Sequence, residues 1–117
     1  MEYLACPYSD KNSKVREKRF NIATSIAGIL INNGRIIFSP ITHSHPIANK
    51  CSLPKDWDYW KDFDTTILKV CFKVLVLTID GWKDSVGVKN EIDLAVELRK
   101  PIFLIDSETL KELELKF

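Results

Sequence analysis

Four short apolar runs constrain this chain more than any other feature: "YLAC" (3–6), "RIIFS" (35–39), "KVLVLTI" (73–79) and "PIFLI" (101–105). They are nearly continuous, whereas a strand with one wet face would alternate, so each needs cover on both faces. That demand is met by parallel strands sandwiched between helices. Residues 13–33 carry Val15, Phe20, Ile22, Ala23, Ile26, Ala27, Ile29 and Leu30 and close on "NNG", where Gly34 suits a left-handed cap. Residues 55–71 follow a start signal at Pro54, and 86–99 read as a third helix. "SETLKELELKF" reads as a last short helix, with Ser107 as N-cap and Glu108 in its first turn. "PITHSHPIANKCSLP" (40–54) reads as irregular, and a loop that long in a compact domain is more often functional than a mere connector.

The order β-α-β-α-β-α-β-α predicts an α/β fold, a flavodoxin-like doubly wound parallel sheet of about four strands (order 2-1-3-4) with helices on both faces. The 117 residues suffice for one core, hence a single domain over 1–117. Such sheets bind ligands beyond the carboxyl ends of their strands, where strand order reverses. Here that edge is made of "CPYS", "SPITHSHP" and "DGWKDSVG", which puts Pro7, Tyr8, His43 and His45 among the expected substrate contacts.

Charge and composition narrow the function classes. A formal net charge of +1 argues against a nucleic-acid surface, and the apolar runs are too short to span a bilayer. The first strand leaves no room for a signal peptide, and three cysteines without framework spacing (Cys6, Cys51, Cys71) predict reduced thiols and a cytoplasmic setting. No metal and no cofactor are expected: "THSHP" offers an H-x-H pair without a third ligand, and the chain has neither a P-loop nor G-x-G-x-x-G.

Two carboxylates break the pattern. In "DSVGVKNEIDLAVEL" (84–98), Val88, Ile92, Ala95 and Leu98 form the apolar stripe, and Glu91 lies inside it. In the preceding helix Asp64 interrupts the stripe of Trp57, Trp60, Ile67 and Cys71. A buried carboxylate without a partner costs several kcal/mol, so each needs a partner or a task. Paired acids serve glycosyl chemistry as nucleophile and acid. Glu91 stands about one turn into its helix, where the amides at 86–88 would favour its ionised form. Ser85 is a plain N-cap in any case, and with Gly87 it could also hold a phosphate or sugar hydroxyl on free amides. Trp57, Tyr59 and Trp60 could stack a base or simply form core and oligomer contacts.

"YLACPYS", "FSPITHSHPIA", "LPKDWDYWKDFD" and "VLTIDGWKDSVGVKNEI" closely resemble a family of small bacterial and phage domains of unassigned function, over residues 3–105. That family resembles a compact branch of the nucleoside 2-deoxyribosyltransferase-like superfamily. The resemblance implies Glu91 as the nucleophile at the anomeric carbon, Tyr3 orienting it, and Asp64 contacting the base or assisting its departure. It also implies Ser85 at a 5′-phosphate. Two departures stand out: "KELELKF" offers no amide of the kind a neighbouring subunit supplies in the classical enzymes, and the "THSHP" and "DWDYW" segments have no counterpart there. The function expected is cleavage or transfer at the N-glycosidic bond of a nucleoside or, in preference, a nucleoside 5′-monophosphate, by a homodimer or homotetramer. The alternative is a binding module for a nucleotide or nucleotide-derived signal, NAD-derived and cyclic forms included. Metal-dependent hydrolysis through His43 and His45 trails both.

Overall fold

The apolar runs become strands covered on both faces. The structure, a computed structural model, describes residues 1–116. Along the chain follow β1 (Glu2–Ala5), α1 (Ser13–Asn32), β2 (Ile37–Phe38), α2 (Pro40–Cys51), α3 (Trp57–Val70), β3 (Lys73–Leu77), α4 (Val86–Glu97), β4 (Ile102–Ile105) and β5 (Glu112–Leu115). One sheet holds all five strands in the order β2-β1-β3-β4-β5. The first four run parallel, with Tyr3 opposite both Phe38 and Val74, and β5 runs antiparallel to β4.

The pleat sorts the strand residues onto two faces. Leu4, Leu75 and Leu77 pack with Ala23, Ile26 and Leu30 of α1 and Ile41 of α2. Tyr3, Ala5, Val74 and Val76 pack with Leu68 of α3 and with Val88 and Ala95 of α4. Each fully buried leucine contributes about 1.5–3 kcal/mol. The central pair β1 and β3 is therefore the rigid frame from which the loops at the carboxyl edge project. Reversal of strand order falls between β1 and β3.

Two expected elements differ. Residues 40–54 are mostly helix: Ser39 caps α2 by accepting from the Thr42 amide, and Pro40 sits in its first turn. A proline there loses no helical hydrogen bond, so it can start a helix. Pro46 lies inside α2, and Ser52 ends it in the left-handed conformation. The expected last helix is instead a turn and an edge strand. The Asp106 carboxylate accepts from the amides of Glu108 and Thr109, which reverses the chain, and "ELEL" then pairs with β4. Ser107 lies within that turn and caps nothing. The first, second and third predicted helices stand with slightly shorter ends, and β2 shrinks to two residues.

The three cysteines are free, two of them buried. Among the described residues no helix is long and apolar enough to cross a membrane.

Candidate functional site

At the carboxyl edge, beside the reversal of strand order, lies a cavity of about 360 Å³, within the roughly 300–1,000 Å³ of small-molecule sites. Loop residues Cys6, Tyr8 and Ser9 after β1 form one side, and Pro40, Ile41 and Ser44 of α2 another. Trp57, Trp60 and Asp64 of α3 face Ser85, Gly87 and Glu91 at the start of α4.

Glu91 is the deepest of these groups, only 4% exposed. It is buried because the α4 stripe that contains Val88 and Ala95 packs on β1 and β3, and three-residue spacing turns Glu91 the same way. The Tyr3 hydroxyl, wholly buried, donates to Glu91 Oε2. Burial pushes the Glu91 carboxyl up from the ordinary 4.5 to about 8, with Tyr3 opposing and the Asp64 charge adding to it. Loss of water is the largest influence on this carboxyl. Burial first, then the Glu91 charge, holds Tyr3 well above its usual value, so it remains a neutral donor.

Asp64 shares the cavity without a donor of its own. Its Oδ1 is buried with no hydrogen-bond partner, and burial raises its pKa to about 7. Both carboxyls of the cavity are thus pushed up toward neutrality, chiefly by burial. Burial also keeps the Cys6 thiol protonated.

The walls are built locally. Ser85 caps α4 by accepting from the Val88 amide at 3.2 Å. Gly87 lies bare against the Trp57 ring: a Cβ there would meet Trp57 Cε3 at 3.4 Å, an ordinary contact that alanine could make. Trp60 is anchored by its indole N–H on the Pro54 carbonyl at 2.8 Å. Arg19 of α1 ties two edge loops together, donating to the carbonyls of Tyr8, Ser9 and Asp80 at 3.4, 3.2 and 3.3 Å. Gly81 is in the left-handed region (φ 93°), and a side chain there would run into the Arg19 guanidinium.

Of the residues singled out in the sequence, Glu91, Asp64, Ser85, Gly87, Tyr8, Trp57 and Trp60 converge on the cavity, with Tyr3 behind Glu91. Pro7, His43 and His45 do not line it. Pro7 is fully buried. His43 and His45 stand on a helix, not a loop: His43 stacks on Phe63 at 4.9 Å, and His45 packs on Phe20 at 4.4 Å. Sequence reasoning did not single out Ser44 and Asp84, although both lie in stretches it placed at the edge, and it missed Lys55, Asp56 and Asp58, which also line the cavity. Among the described residues, no group of three or more His, Cys, Asp or Glu side chains is arranged to hold a metal ion.

No curated protein matches the sequence. The family described as "Domain of unknown function (DUF1937)" matches residues 1–107, a span that takes in every residue of the cavity and stops short of β5. The chain belongs to that family.

Proposed function

We propose that this domain cleaves or transfers at the N-glycosidic bond of a nucleoside through a covalent glycosyl ester on Glu91. The observation that carries the proposal is a carboxylate buried at the cavity floor, held by a neutral phenol donor and facing a second acid. The residues also resemble the nucleoside 2-deoxyribosyltransferase-like superfamily at Tyr3, Asp64, Ser85 and Glu91, which supports the same assignment.

The chemistry follows from the two carboxyls. Before substrate binds the proton rests on Glu91, pushed up to about 8 even with the Tyr3 bond opposing, before Asp64, at about 7. The Tyr3 bond narrows that order without reversing it, and Asp64 Oδ1 has no donor to stabilise charge on it, so substrate must shift the proton to Asp64. With substrate in place the productive form has Glu91 ionised and Asp64 protonated. Asp64 gives its proton to the departing base while Glu91 attacks the anomeric carbon; the C–N bond breaks and the ester C–O bond forms. Asp64, now ionised, takes a proton from water or from an acceptor base, whose attack releases Glu91. The Trp57 and Trp60 rings give the leaving base a surface to stack on.

The lining weighs against the 5′-phosphate that the serine position suggested. Asp56, Asp58, Asp64, Asp84 and Glu91 face the cavity with Lys55 as the one cationic side chain among its lining residues. A dianionic phosphate would enter against that field, so the unphosphorylated nucleoside is the favoured substrate. The same proposal includes a homodimer or homotetramer, supported by the outward Tyr59 and Phe63 of α3, which are 48% and 38% exposed.

The test is incubation with ribo- and deoxyribonucleosides and their 5′-monophosphates, with released base separated by chromatography. Release from at least one nucleoside is expected, and faster than from its monophosphate. No release from any compound, with a thermal shift by one of them, would make the domain a binding module instead.

A further inference from the structure

One arrangement at the cavity takes no part in the chemistry above. His45, on α2, is 4% exposed, yet both of its ring nitrogens are engaged. Nε2 lies 2.7 Å from Oε2 of Glu17 on α1, and Nδ1 lies 2.5 Å from the hydroxyl of Tyr8, which lines the cavity. Phe20 stacks on one face of the imidazole at 4.4 Å, and the Tyr8 ring meets it edge-on at 5.5 Å. A histidine that only filled space beside Phe20 would need no carboxylate behind it and no phenol in front.

The chain has a direction. A carboxylate only accepts, so Nε2 carries the hydrogen and gives it to Glu17. The Asn49 amide also approaches Nε2, at 3.1 Å, but a neutral contact from an exposed side chain yields to the shorter charge-assisted bond. In the neutral ring Nδ1 is then a lone pair, and the Tyr8 O–H donates to it. That commits the phenol proton to His45 and leaves the phenol oxygen able only to accept. Burial holds Tyr8 above its usual pKa, which keeps the proton on the phenol.

We propose that Glu17 and His45 are positioning residues that fix the Tyr8 oxygen as an acceptor for a hydroxyl of the substrate's sugar. This rests on the glycosidic reading of the same cavity. Glu91 must meet the anomeric carbon, and Tyr8 lines the same cavity from the α1–α2 side, where the chain of hydrogen bonds holds it toward the sugar. The base then lies toward Trp57 and Asp64 on α3.

The experiment compares adenosine and cytidine with their 2′-, 3′- and 5′-deoxy forms, by calorimetric binding and by base release. The proteins are wild type, Tyr8→Phe, His45→Phe, His45→Asn and Glu17→Gln, each checked for its thermal melt. In wild type one deoxy form binds roughly ten-fold more weakly than its parent, the size of one hydrogen bond. Tyr8→Phe and His45→Phe remove that preference. His45→Asn restores part of it, since the asparagine oxygen sits near the position of Nδ1. Glu17→Gln narrows it, because an amide accepts or donates and no longer forces the imidazole tautomer. Folding defects alone would weaken all compounds equally.

A Tyr8→Phe protein that folds and keeps the wild-type preference overturns the inference, whether or not base is released. Binding with a Tyr8-dependent preference but no base release upholds it and sinks the catalytic reading alone. Failure of every nucleoside to bind overturns both.

Discussion

Glu2 and Glu91 are both buried glutamates tied to β1, and the fold treats them in opposite ways. Glu2 begins the strand, and Glu91 is held by Tyr3, the next residue, on the other face of the sheet. Glu2 is 6% exposed but meets the Arg35 guanidinium through two bonds, at 2.5 and 3.0 Å, with Lys73 at 3.6 Å. Arg35 and Lys73 also bind Glu112 of β5, at 2.7 and 3.2 Å, closing a four-residue network. The bond to Arg35 holds the Glu2 carboxyl below its ordinary 4.5. Glu91 has no cation and is pushed up to about 8. A carboxylate that serves structure is neutralised by partners, whereas one kept costly in a cavity is a candidate for chemistry.

Removing Glu91 has the largest expected effect. Glu91→Gln should lower base release by at least ~1,000-fold while nucleoside binding, read by calorimetry, changes little. Equal activity in the mutant would erase the distinction between the two glutamates. Next comes the structural member's partner. Arg35→Met leaves Glu2 buried against Lys73 alone and should cost about 3 kcal/mol in urea unfolding at pH 7.

The pH dependence of stability separates the two more finely. The folded pKa of Glu2 lies below its unfolded value, so its contribution is present above about pH 4.5 and is lost as pH falls. That of Glu91 lies above, so its contribution is present below about pH 4.5 and is lost as pH rises toward 8. Glu91→Gln should therefore gain stability relative to wild type between pH 5 and pH 8, on the order of 3 kcal/mol by thermal or urea unfolding. A gap that stays constant across that range would show that Glu91 is not held as a costly charge. The smallest effect expected is at the rim: Ser85→Ala removes the α4 cap and should cost about 1 kcal/mol in stability.

Most of the site was legible because its signal is local. Glu91 and Asp64 announced themselves by falling on the wrong side of a helical stripe, and the stripes were long enough to define that side. The frame was legible for a similar reason, since continuous apolar runs leave few ways to cover two faces. What escaped the sequence depended on context. Pro40 and Pro46 in "PITHSHPIANK" obscured a helix, and with it the fact that His45 points back into the molecule. "ELEL" has too few residues to distinguish a helical period from a strand period. Its strand exists because β4 offers a free edge and Asp106 turns the chain toward it. The Glu2–Arg35–Lys73–Glu112 network was invisible for the same reason: its members stand far apart in sequence and meet only across the sheet.

The central claim is that Glu91 becomes covalently glycosylated. It is tested most directly by incubating the protein with a 2′-fluoro-2′-deoxynucleoside, whose fluorine slows release of the sugar, and mapping the adduct by peptide mass spectrometry. The account predicts one fluorosugar mass added to the peptide containing Glu91, base released in equal amount, and no adduct on Glu91→Gln. Continued base release with no adduct on Glu91, from a nucleoside that the protein demonstrably turns over, would contradict it and give the attacking role to water.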